Sequence, residues 1–443
     1  MLDGLLEGIR WGGPSPGNAE VISFSFPSAN SSWSTDYFTG YGPSGSLGEP
    51  WHDFQPLTAD IQAAVREIFA MIEQYVAIDF VEVPETSGTV GSIRFGFSGS
   101  VDSDTYAQTY PLDGDFSSAQ TTNAYPNAGD IWLNVANVAD FDSTPGSNDY
   151  HTLIHEIGHA LGLKHPFEKA DTFPLLPETR DSYEDTVMSY SALAGKPYSA
   201  MSTFPETLMP LDIAALQLLY GATEHNPGND VYAFLASQTY NETLWDTGGI
   251  DTISGASTSS GVTIDLTPGG WLAVGLPIAY RDSDGNSLKQ TRTETVAILE
   301  GVIIENAIGG TGNDILRGND ADNRLSGGAG SDTLTGGAGA DVFEFNHMAK
   351  RSVDRIVDFN AADGDRLAFD PTVFTALAEG VTANNLVIGK TKAHDPDDYL
   401  LLARNGKLYF DPDGNGSAKA ILLAGIKGGA LPDFTDFEIL STT

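Results

Sequence analysis

Along residues 57–76, LTADIQAAVREIFAMIEQYV, the apolar residues Ile61, Val65, Ile68, Ile72 and Tyr75 recur three or four positions apart. That period lines them along one face and predicts an amphipathic helix. The period then drops to two. Alternating runs at 80–83 (FVEV), 92–97 (SIRFGF) and 130–135 (DIWLNV) predict strands. Between the last two, a stretch rich in Asp, Ser and Thr reads as a long loop. Helical spacing returns in HTLIHEIGHAL, 151–161, and in LDIAALQLLYG, 211–221, where Gly221 stops the helix. From about residue 222 helical patterns vanish and Gly, Asp, Asn and Thr become dense. Residues 309–344 repeat with a nine-residue period: GGTGNDILR, GNDADNRLS, GGAGSDTLT, GGAGADVFE. The last hundred residues alternate short strands and turns, such as RLAFD and KLYFD. The expected division is a mixed α and β region over 1–221, a repeat region over 222–345 and a further β region over 346–443.

Composition narrows the classes. Hydrophobic residues make up 41% of 443, enough for several packed cores. Sixty acids against 22 bases give a net charge of −38, which repels nucleic acid and anionic membranes. Such acids either solubilise the chain or ligate cations. The absence of cysteine excludes disulfides, thiolate zinc sites and a cysteine nucleophile. The N-terminal MLDGLLEGIRWGG lacks the basic start and long apolar run of a cleavable signal peptide, and no apolar run is long enough to span a bilayer. Partners are therefore expected to include neither nucleic acid nor a membrane interior, and a monomer is expected.

Three of the eight histidines fall within HEIGHALGLKH, 155–165. On a helix, His155 and His159 share one face one turn apart and can hold one metal ion. Gly162 can take a left-handed conformation and turn the chain, bringing His165 back as a third ligand. Three neutral nitrogens leave a fourth tetrahedral position for water, the layout of a catalytic zinc site. Glu156 beside them can take that water's proton. His151, one turn earlier, reads as a residue behind the ligands or at the surface.

Downstream stands EDTVMSYSA, 184–192. The extended histidine motif followed by a methionine turn is a metzincin signature. Together with the Gly/Asp nonapeptides it closely resembles the serralysins, secreted bacterial zinc endopeptidases with a calcium-binding β-roll. The resemblance runs from IRWGG near residue 9 into the C-terminal region. It implies an α+β metzincin catalytic domain with a twisted mixed sheet and an active-site helix, then an all-β calcium-binding parallel β-roll, then a C-terminal β-sandwich-like region. It makes Met188 an apolar floor beneath the zinc. It makes Tyr190 a fourth zinc ligand in the free enzyme that swings away to stabilise the oxyanion. It places substrate along an edge strand near TTNAYP, 121–126. It further implies protein or peptide substrates, a small protein inhibitor, and secretion by a type I machinery through a C-terminal signal, although the polar STT ending departs from the family.

The unit GGxGxDxUx binds calcium in parallel β-rolls. Its sixth place is held by Asp314, Asp332 and Asp341, and by Asn323 in the second unit, which also has Asn319 for Gly. Turn carbonyls expected as ligands are those of Gly310, Gly312, Ala321, Gly327, Gly328, Ala329, Gly330, Gly336, Gly337, Ala338 and Gly339. The apolar eighth places, Leu316, Leu325, Leu334 and Phe343, point into a narrow core. By the same resemblance, upstream loops supply Asn226, Gly228, Asp230, Asp246, Gly248, Gly249, Asp251, Ile303 and Glu305. Ile303 stands where the family often has Thr, which is tolerable for a carbonyl ligand.

Two motifs are decoys. DPDGNG, 411–416, starts like an EF-hand loop, but its twelfth place is Leu422 rather than Glu. GPSPG, 13–17, matches a nucleophile elbow, yet Pro16 has no N–H for an oxyanion hole. The alternative to an active peptidase is a calcium-dependent adhesin or binding module carrying a spent protease domain.

Overall fold

The computed structural model describes residues 2–12, 17–86, 88–112, 114–118, 121–169, 174–348, 352–429 and 431–441. GPSPG lies almost wholly outside them. The chain divides into two compact units. The first holds residues 1–225, 241–243 and 278–292, and the second holds 226–240, 244–277 and 293–443.

In the first unit, β1 (Glu20–Ser25), β2 (Ile78–Glu82), β3 (Ile93–Ser98), β4 (Ala107–Thr109) and β7 (Ile131–Asn134) form one mixed sheet of order β2-β1-β3-β7-β4. Four strands are parallel and β4 is the antiparallel edge. A separate hairpin pairs β5 (Gly114–Ser118) with β6 (Thr121–Ala124). So the stretch expected as one long loop contains three short strands. Runs of three to five residues, rich in Gly, Asp, Ser and Thr, are too short and too polar for a period of two to declare itself.

The periodic helix is α1 (Ala59–Tyr75), which buries Ile61, Val65, Ile68, Ile72 and Tyr75 as expected, with Ala64 and Phe69. The Thr58 side chain caps it by accepting from Ile61 N. The histidine helix is α2 (Asn148–Ala160), started by Ser147, whose hydroxyl accepts from Tyr150 N. It is buried on nearly every face. At its far end, Trp11 Nε1 donates to Ala160 O at 2.8 Å and Tyr220 Oη donates to Leu161 O at 2.9 Å, satisfying carbonyls that the helix leaves open. Tyr220 ends α3 (Pro210–Tyr220), which stops at Gly221, φ +91°.

The second unit is mainly a parallel roll, with antiparallel pairing where Lys407–Phe410 joins Ile421–Gly428 and Leu400–Leu402. One sheet runs through Val231–Ala233, Thr252–Ser254, Asn306–Ile308, Arg324–Ser326, Val342–Phe345, Arg366–Phe369 and Phe437–Ile439. The other runs through Thr263–Asp265, Ile315–Arg317, Thr333–Thr335, Asp354–Phe359 and Ile421–Gly428, then adds Lys407–Phe410, Leu400–Leu402 and Leu386–Ile388. Register places Leu316 opposite Leu334 and Leu325 opposite Phe343, and all four are buried. Both sheets run on past residue 345. No helix among the described residues is long and apolar enough to cross a membrane.

Candidate metal centres

α2 sets His155 and His159 on one face. Gly162 then turns the chain with φ +99°, and a Cβ at this residue would meet Ile9 O at 2.5 Å, so glycine is required twice over. The turn returns His165, whose Nε2 lies 3.1 Å from that of His155 and 3.0 Å from that of His159. The opposite nitrogens face outward. His155 Nδ1 sits 2.8 Å from Val187 O, and His159 Nδ1 sits 2.8 Å from Leu163 O. Both partners are acceptors, so Nδ1 carries the proton and a lone pair remains at Nε2. His165 Nδ1 lies 2.9 Å from Glu168 Oε1, a polar contact not aligned as a hydrogen bond.

Three imidazole nitrogens converging on one point have nothing to share among themselves. A tetrahedral zinc with bonds of about 2.0–2.1 Å spaces its ligand atoms roughly 3.3 Å apart, so this donor set fits zinc. Burial lowers His155 to about 3, and burial with the neighbouring rings lowers His159 well below the usual histidine range. Neutral rings are what a metal needs.

Glu156 is buried beside the triad. Thr109 Oγ1, at the end of β4, donates to its Oε2 at 2.6 Å and leaves Oε1 uncommitted. Burial pushes this carboxyl up to about 7. The Tyr190 ring centre lies 5.6 Å from that of His155 and 4.6 Å from that of His165. Burial and the nearby Glu156 raise its phenol to about 12, so it remains a hydrogen-bond donor. Met188 is fully buried. The position of a Cβ at Gly158 would be 2.6 Å from the Met188 sulfur, so α2 admits this methionine only because residue 158 lacks a side chain.

Sequence reasoning missed two residues that support this geometry. Thr109 gave no signal. Nor did Asp212, which is buried at the start of α3. Its Oδ2 accepts from Val187 N at 2.7 Å and Met209 N at 3.0 Å, and its Oδ1 accepts from Thr186 Oγ1. It thereby anchors Val187, the residue whose carbonyl orients His155. Asp212→Ala should leave three donors unsatisfied and cost about 2–4 kcal/mol, read as a lower urea midpoint. His151 is not at the surface. It is buried against Tyr183, with ring centres 4.6 Å apart, outside the converging triad.

In the second unit, Asp230, Asp246 and Asp251 bring carboxylate oxygens within 4.8 Å of one another. Gly249 has φ +143°, and a Cβ on it would fall 1.8 Å from Gly228 O. The same stacking recurs along the nonapeptides. A Cβ on Gly330 would meet Gly312 O, and one on Gly339 would meet Ala321 O. The acids form ladders. Asp314 N donates to Asp332 Oδ1 and Asp332 N to Asp354 Oδ1. Beside them, Asn323 N donates to Asp341 Oδ1 and Asp341 N to Asp365 Oδ1. Upstream, Asp251 N donates to Glu305 Oε2 at 2.8 Å. Asp354 and Asp365 are further ladder members that the nonapeptide pattern did not flag.

Asp251, Asp332 and Asp341 each keep a buried Oδ2 without a hydrogen-bond partner. Orphaned buried carboxylate oxygens fit a hard cation such as calcium. Asn323 differs. Its Oδ1 accepts from Asn319 N and its Nδ2 donates to Glu305 O, so this amide holds its turn by hydrogen bonds.

The matrixin family model matches residues 53–183, which include the triad and Glu156 but stop short of Met188 and Tyr190. The RTX calcium-binding nonapeptide repeat matches residues 308–343 in four copies. The chain is similar to a serralysin of Proteus mirabilis, 33% identical over 273 residues, covering 56% of this chain and 52% of the relative. It is also similar to a serralysin of Photorhabdus laumondii, 31% identical over 300 residues, covering 62% and 57%. Serralysin C of Dickeya chrysanthemi is 36% identical over 216 residues, covering 43% and 41%. The chain thus spans about half the length of the curated relatives it matches. It joins a segment that matches the matrixin model to a segment that matches the RTX repeats.

Proposed function

We propose that this chain is a zinc endopeptidase, kept folded by calcium, that cuts extended segments of proteins outside the cell. The reading is carried by the three converging Nε2 atoms of His155, His159 and His165 beside the buried carboxylate of Glu156. Catalysis is assigned to residues 1–221, calcium binding to the roll over 222–345, and a closing β region to 346–443. Among the calcium ligands we include the carboxylates of Asp230, Asp246, Asp251, Glu305, Asp314, Asp332 and Asp341.

His155, His159 and His165 would hold the metal through Nε2. When bound, zinc supplies Lewis acidity, acidifying water toward a pKa of about 7 and polarising a carbonyl. Glu156 takes the proton of the attacking water at Oε1, because Thr109 occupies Oε2. It then passes that proton to the leaving amine nitrogen. The Tyr190 hydroxyl, still protonated, donates to the oxyanion that develops on the substrate carbonyl. Thr121–Ala124 pairs on one side with Gly114–Ser118, and we assign its other edge to an extended substrate adding as an antiparallel strand. Type I export and a small protein inhibitor belong to the same reading.

Cleavage of casein in millimolar calcium tests it. Activity should vanish with a zinc-selective chelator and return on adding one equivalent of zinc. Cleavage that persists after the chain has been stripped of zinc would overturn the proposal.

A further inference from the structure

Beside the histidine triad, a cleft of about 180 Å³ opens on the same unit. Its wall is aromatic. Phe167 stacks flat on His165, with ring centres 5.0 Å apart and planes 5° from parallel. Tyr190 lies 5.1 Å from Phe167, and Tyr198 continues the row at 6.4 Å from Tyr190. The cleft is also lined by two carboxylates, Glu178 and Asp181.

Neither carboxylate is neutralised. Asp181 Oδ1 accepts one neutral hydrogen bond, from Ser189 Oγ at 2.6 Å. Glu178 Oε1 lies 3.8 Å from where a Cβ on Gly195 would stand, an ordinary contact distance, and Gly195 is suited to its turn by a φ of +71°. Arg180, between them in sequence, turns instead to Asp185. Among the described residues no Lys, Arg or His forms an ion pair with Glu178 or Asp181.

We infer that this cleft is a subsite for a basic substrate side chain next to the scissile bond, with Glu178 and Asp181 as its specificity-determining residues. An aromatic row leading from a metal centre to two unpaired carboxylates suits one chemistry above others. The aliphatic stem of Lys or Arg lies along the rings, whose faces attract cations, while the charged head meets the carboxylates. An acidic side chain would be repelled, and a neutral one would leave both carboxylates uncompensated. The inference rests on the proposed peptidase function, since the cleft matters only if peptides lie across the triad.

The test uses the full chain loaded with zinc and calcium against peptide libraries varied at each position flanking the cut. One position should favour Lys or Arg over norleucine by about tenfold in kcat/KM. Glu178→Gln, an exposed change that leaves the fold intact, should reduce the preference, and Glu178→Gln/Asp181→Asn should abolish it while norleucine peptides are cut as before. A second arm measures the Kd of uncleaved peptides on a Glu156→Gln background, where the same order should hold. Equal use of basic and neutral residues at every position, or a preference that survives the double variant, overturns the inference. If no peptide is cut, yet binding keeps the basic preference, the peptidase proposal falls and the subsite stands.

Discussion

Glu156→Gln should bind one zinc as the parent chain does and lose between about 10²- and 10⁴-fold in peptide cleavage, the range spanned by a positioned general base. The residues that would hold the metal are untouched. His165 keeps its Nε2 near 3 Å from those of His155 and His159, which are oriented by Val187 O and Leu163 O. The amide oxygen can still accept from Thr109, as Oε2 does now. Only a proton acceptor is lost. Elemental analysis reads the zinc, and a quenched peptide reads the rate. Cleavage within tenfold of the parent would remove Glu156 from the mechanism, and loss of zinc would make it a structural support for the triad instead.

Calcium removal should have the second large effect. With EGTA near pH 8, the roll's ladders place ionised acids beside one another with buried oxygens lacking partners, and the far-UV signal of the second unit should be largely lost. The pH dependence follows from the carboxyl groups. Burial first, and neighbouring carboxylates second, raise Asp332 and Asp341 to about 7, and burial is the main cause that raises Asp251 and Asp354 to about 6. All lie above the value near 3.9 of an unfolded aspartate. The folded form therefore binds more protons than the unfolded one between those limits. The calcium-free roll is most stable below about pH 4 and loses that stability as pH rises through about 6–7. Acidification toward about pH 5 in EGTA should restore part of the β signal, whereas millimolar calcium should make the signal insensitive to pH across neutrality. A spectrum unchanged by EGTA near pH 8 would contradict this.

Much of the site could be read because its chemistry is periodic. A four-residue step on a helix and a glycine three residues on specify where His155, His159 and His165 point, and the nine-residue repeat specifies which side chains face the roll's core. What escaped notice is non-periodic. Thr109 meets Glu156 from a three-residue strand 47 positions away. Asp212 sits in a helix whose apolar pattern gives no hint that one acid in it is buried. Asp354 and Asp365 continue the ladders after steps of 22 and 24 residues, where the repeats use 18. His151 could be set apart from the ligands by its place one turn earlier, but whether it lay behind them or at the surface depended on its packing against Tyr183.

The ladders bear on how the roll assembles. Each carboxylate is held by the main chain of the turn before it, so a turn formed in isolation has an incomplete cradle, and filling one prepares the next. Such nearest-neighbour dependence behaves like a one-dimensional zipper. The roll should answer rising calcium with a sharp threshold rather than a gradual slope, closing from whichever end is filled first.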